Sequence, residues 1–98
     1  MSPESPLVAV EVHLPPAVRR TAGHRAVVAA KGATVRQLLD DLERQYPGMR
    51  FHVCHETGEL RPHVNIFVNS ENIRYLQQLD TPLSGGEVVY ILHAISGG

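Results

Sequence analysis

Cysteine is almost missing from this chain, and so is lysine: each occurs once, as Cys54 and Lys31. A lone cysteine cannot close an internal disulfide, which fits a reducing compartment. Charge of one sign is also lacking. The formal net charge is −1, and the arginines are scattered along the sequence, so no footprint for a phosphate backbone is expected and nucleic acid is excluded as a partner. No apolar run approaches a membrane span, and "MSPESPLVAVEV" has no basic segment ahead of an apolar one, so neither insertion nor export is indicated. The expected location is cytoplasmic. Neither "GxxxxGK[ST]" nor "GxGxxG" occurs, so no bound nucleotide cofactor is expected.

What is present is enough for one core. A chain of 98 residues with 43% hydrophobic content buries roughly 60–70% of its unfolded surface when it folds. Residues 1–6, "MSPESP", read as a flexible tail. In "LVAVEVHL" Val8, Val10, Val12 and Leu14 fall on one face, which makes a half-buried strand. Pro15-Pro16 end it, "RRTAGH" reads as a turn, and "RAVVAA" as a second strand paired back on the first, closed by Lys31-Gly32. The helix signal is clearest in "TVRQLLDDLERQYPG". Thr34 and Gln37 have capping-box spacing, Val35, Leu38, Leu39, Leu42 and Tyr46 recur at helical intervals, and Pro47-Gly48 stop the run.

Residues 49–61 have no sustained period and read as a long excursion with one short helical turn. "HVNIFVN" alternates again, setting Val64, Ile66 and Val68 against Asn65, Phe67 and Asn69. A connection with a helical turn near Ile73–Leu76 leads to a tight turn at Gly85-Gly86 and a last strand, "EVVYILHAI". This order predicts an α+β fold of β-grasp (ubiquitin-like) type, a mixed sheet of four to five strands packed on one main helix. The first and last strands are expected to be the parallel central pair. The domain covers residues 7–94, and 95–98 form a flexible C-terminal tail.

Gly97-Gly98 need a different explanation from Gly85-Gly86, because no strand follows them. Glycine loses most on being ordered, so a terminal pair does not serve stability; the ordinary alternative is a frayed end. Leaving a central strand through Ala94, Ile95 and Ser96, a tip without side chains can reach into a channel too narrow for any Cβ. Its carboxylate is inert until activated, and activation has to come from a partner.

The order of elements, the segment "RPHVNIFVNSENIRYLQQLDTPLSGGEVVYILHAISGG" and the terminal glycines resemble the MoaD/ThiS family of ubiquitin-like sulfur carrier proteins, closest to carriers of cysteine or specialised-metabolite type. The resemblance implies that an E1-like enzyme adenylates the Gly98 carboxylate using ATP. A sulfur donor then forms a thiocarboxylate, and the carrier gives its sulfur to a biosynthetic enzyme. The carrier is thus a substrate rather than an enzyme, and a monomer when free. Family members commonly have proline where this chain has His93, so the exit here is freer or the strand one residue longer. Three other functions stay open: the small subunit of a molybdopterin synthase, a protein modifier joined to lysines, and an interaction domain with incidental glycines.

Two further groups stand out. "HVCHE" brings His52, Cys54 and His55 together, with His63 further along, but a structural zinc site needs a second ligand pair and none is evident. The expectation is therefore no metal. On the last two strands Phe67, Val88, Tyr90 and Leu92 alternate away from the helix, forming an apolar patch of the kind that marks a docking site unless the 49–62 excursion covers it. With His93, Ala94, Ile95, Ser96 and Gly97 leading to Gly98, they make up the expected partner-binding surface.

Overall fold

Alternation in "VAVEVH" builds β1 (Val8–His13), with Val10 and Val12 buried and Glu11 in water. The computed structural model describes residues 8–93. β1 pairs antiparallel with β2 (Val27–Gly32), Val12 opposite Val28 and Val10 opposite Ala30. β2 begins two residues later than the sequence pattern suggests and takes in Lys31 and Gly32. A Cβ on Gly32 would lie 2.5 Å from the backbone nitrogen of Leu38, so only glycine lets the strand end pass this close to the main helix.

The hairpin connection holds an element that the sequence reading left as a turn. Pro16–Arg19 form a one-turn helix, α1, continued by a 3-10 turn over Arg20–Ala22. Proline suits the first helical position because its missing donor would have had no partner there. Val18 and Ala22 enter the core, and Gly23 ends the turn at φ 67°.

α2 (Val35–Gln45) is capped as its spacing predicts, with the Thr34 hydroxyl accepting the Gln37 N–H at 3.2 Å. The Gln37 side chain reaches back to accept from Ala33 N at 2.9 Å, one residue ahead of the usual box partner. Val35, Leu38, Leu39 and Leu42 fill the core from this helix. After Gly48 at φ 99° the chain makes α3 (Met49–Val53), which sends Met49 and Val53 into the same core.

β3 (Val64–Val68) and β5 (Val88–His93) pair antiparallel, and β5 pairs parallel with β1, Val12 opposite Val89. A two-residue edge strand, β4 (Glu71–Asn72), completes a mixed sheet in the order β2-β1-β5-β3-β4. Ile73–Tyr75 and Gln78–Asp80 are 3-10 turns, and Gly85 and Gly86 turn into β5 at φ 105° and 84°. One hairpin, one main helix across one sheet face and a central parallel pair make this a β-grasp fold.

Candidate functional site

Side-chain alternation divides β3 and β5 between two environments. Val64, Ile66, Val89 and Ile91 have no exposed surface. On the reverse face Phe67 sits opposite Tyr90 in the ladder, both partly exposed together with Val88, and Leu92 is 44% exposed. The 49–62 excursion does not shield this face among the described residues. It is tied to α2, on the other side of the sheet: the Glu43 carboxylate accepts the N–H groups of Gly48 at 3.0 Å and Arg50 at 2.9 Å, and Arg50 pairs with Asp40 at 3.0 Å. Those two backbone donors hold the Glu43 carboxyl below its ordinary range.

The patch is wider than the last two strands. His13, on β1, lies opposite Tyr90 in the parallel ladder, their rings 4.7 Å apart, and its Nε2 meets a Glu11 carboxylate oxygen at 2.5 Å. Val27, opposite His13 on β2, is 43% exposed. Alternation alone would have placed Glu11 and His13 outward; putting them beside Tyr90 needed the β1–β5 register. The face therefore has an apolar centre with an acid–histidine pair beside it.

His93 belongs elsewhere. The sequence reading grouped it with Tyr90 and Leu92, yet its parity on β5 matches Val89 and Ile91, and it lies on the helix side beside His63, ring centroids 5.3 Å apart. The strand does run on to include it, paired with Val64, as the lack of proline allows. Its Nε2 is enclosed without a hydrogen-bond partner among the described residues. Burial pushes its pKa down; a hydrogen bond with the His52 backbone opposes this, and the nearby His63 and His52 add to the lowering.

Cys54 is buried, and that burial pushes its thiol pKa up, against the weaker pull of Arg50, Arg36 and Arg61. A thiol held protonated is a poor nucleophile and a poor metal ligand. His52 and His55 are exposed, and no group of three metal-ligating side chains occurs among the described residues. Ala94, Ile95, Ser96, Gly97 and Gly98 lie outside the described residues. No helix among the described residues is long and apolar enough to cross a membrane. What the geometry provides is an open, partly apolar sheet face, with strand β5 running through it.

The model of the ThiS family matches residues 12–98. The sulfur carrier protein CysO of Mycobacterium tuberculosis is 35% identical over 91 residues, which cover 91% of this chain and 98% of that protein. CysO in the crystal structure of the Amycolatopsis orientalis BexX/CysO complex superposes with a TM-score of 0.85 at 34% identity, covering 91% of this chain and 99% of that one. Small archaeal modifier protein 3 of Haloferax volcanii is 35% identical over 66 residues, 67% of this chain and 71% of that protein. A family match over most of the length, relatives above 30% identity and a shared β-grasp architecture together mean that the chain belongs to the ThiS family of ubiquitin-like sulfur carriers.

Proposed function

We propose that this protein carries sulfur on Gly98 and donates it in biosynthesis as a substrate of other enzymes. The observation that carries the reading is its likeness to a sulfur carrier over nearly its whole length, in a chain whose sequence ends in Gly97-Gly98. The Gly98 carboxylate attacks the α-phosphorus of ATP on an E1-like partner, releasing pyrophosphate and leaving an acyl-adenylate. Sulfide from a donor displaces AMP and leaves a thiocarboxylate. The sulfur then passes to an acceptor on a second enzyme. The carrier binds no cofactor itself, because the nucleotide chemistry belongs to the partner.

The open sheet face gives both enzymes a place to hold the body of the carrier while Gly98 reaches their active sites. Phe67, Val88, Tyr90 and Leu92 would be covered in each complex, so the two enzymes take turns. A relative crystallised in a complex with BexX supports such an encounter. The working location is the cytoplasm, and the free carrier is a monomer.

The test is intact mass after incubation with a cognate activating enzyme, ATP and a sulfide source. One oxygen replaced by sulfur, mapped to the C-terminal peptide and lost when Gly98 is deleted, is the expected result. An unchanged mass with an activator competent on its own carrier rejects the reading. The likeness to a small archaeal modifier protein favours one second function, conjugation of Gly98 to lysines of other proteins. Lysine-linked adducts on a denaturing gel would establish it.

A further inference from the structure

A cleft of ≈ 510 Å³ opens on the helix side of the sheet, away from Phe67, Tyr90 and Leu92. Three of the nine basic side chains of the protein line it: Arg36 from the first turn of α2, Arg61 from the loop before β3, and Arg74 from the turn after β4. In sequence these residues are far apart, and only the fold brings them together. Glu59 is the one carboxylate in the lining, and Asp80 pairs with Arg36 at its edge, so three arginines against these two carboxylates leave the cleft a small cationic excess in a chain whose net charge is −1. Its floor is apolar, made by Leu60, Ile73 and Leu79.

The walls are braced. Arg61 Nε donates to the Phe51 carbonyl at 2.7 Å, and Arg36 Nε donates to Asp80 at 3.2 Å. The Thr81 hydroxyl, in a residue only 5% exposed, donates to the Gln78 carbonyl at 2.7 Å and accepts the Gln77 N–H at 3.1 Å. That clasp fixes the turn holding Gln78 in the left-handed region at φ 56°, a conformation uncommon for a residue with a Cβ. Arg74, by contrast, has no side-chain hydrogen bond among the described residues, and the segment between Arg74 and Gln78 presents Tyr75, 83% exposed, and Leu76, 38% exposed. Arginine around an apolar floor is among the residues that dominate binding energy at protein interfaces.

We propose that this cleft docks an acidic segment of a partner protein, its carboxylates on the three arginines and an apolar side chain on the floor. Charge complementarity selects the sign of the ligand. The exposed Tyr75 and Leu76, on the turn that joins the lining residues Arg74 and Gln78, select a polypeptide, since a free oxyanion could make no use of them. Because the cleft and the open sheet face lie on opposite sides, a protein held here leaves the sheet free for an enzyme that acts on the C-terminus.

The experiment titrates the full, isotope-labelled chain with a capped peptide alternating glutamate and leucine, its glutamine counterpart, and inorganic phosphate at matched ionic strength. Saturable shifts of the arginine Nε–H signals and of backbone amides in 57–62 and 73–79 are expected with the acidic peptide alone. Binding should weaken at least tenfold in R74E and several-fold in Y75A, with melting temperatures near that of the parent. Equal binding of the glutamine peptide, equal binding of phosphate, or shifts centred on Phe67, Tyr90 and Leu92 would each overturn the proposal. Sulfur loading of R74E, read by intact mass, should match the parent. Joint loss of loading and peptide binding would put the cleft inside the activating enzyme's footprint and overturn the separation of the two faces. Failure of the parent itself to load would count against the Gly98 reading while leaving the peptide result standing.

Discussion

The two faces of the sheet come from the same strands, one residue out of step, yet they answer to different demands. Toward the helix, Ile66, Val89 and Ile91 are sealed against Leu38 and Leu42 in one core. Toward solvent, Phe67, Tyr90 and Leu92 keep part of their apolar surface in water. Each strand thus puts every other residue into the core and leaves the remainder at the surface, so the proposed docking face takes nothing from the core.

The difference can be broken most severely from the closed side. Ile91→Ala removes a side chain with no exposed surface and leaves a cavity, so a loss of about 2–5 kcal/mol is expected. Denaturant titration measures it. At a permissive temperature, sulfur loading of the folded fraction should be nearly unchanged, since Ile91 touches no partner. A loss below 1 kcal/mol would mean that the closed face is looser than its burial implies.

On the open side the same strand should respond the other way. Leu92→Asp, one residue along, is expected to change stability by no more than about 0.5 kcal/mol, because Leu92 is 44% exposed and its loss opens no cavity. Docking to the activating enzyme should weaken about tenfold or more, since a carboxylate would have to be buried without a partner in the complex. Loading rates at limiting enzyme read this directly. Parent-like rates in Leu92→Asp would show that the enzyme holds the carrier by some other surface.

How much of this was readable beforehand follows from the physics of each element. Alternation announces β1, β3 and β5 because each has one dry and one wet face. Thr34 and Gln37 announce α2 because both serve backbone groups a few residues away. α1 and β4 carry too few residues to show any period, and their existence depends on Val18 and Ile73 finding the core. Lys31 and Gly32 looked like the end of a strand, and only the close passage of Leu38 explains why glycine lies inside it. The arginine cleft was illegible for a related reason: scattered arginines in a sequence say nothing about which of them the fold collects.

The smallest expected effect concerns His93, which the sequence reading counted in the partner-binding surface at the start of the tail and whose parity on β5 puts it on the closed side. Burial lowers its pKa below the ordinary value, more strongly than the His52 backbone hydrogen bond raises it, and the charges that face it are those of His52 and His63. The unfolded chain therefore takes up the proton first as pH falls. Stability from this group is fully present above the ordinary histidine value of about 6.5 and is lost as pH drops through the lower folded pKa. Glu43 has the same sign, but its window lies further down, in and below the carboxylate range. Melting temperatures between about pH 7.5 and about pH 5.5 thus isolate the histidine. The parent should lose a few degrees more than His93→Phe, which keeps a ring in place and cannot titrate. Equal slopes would show that His93 is hydrated in solution, and that the closed face opens where β5 hands the chain on to its C-terminal residues.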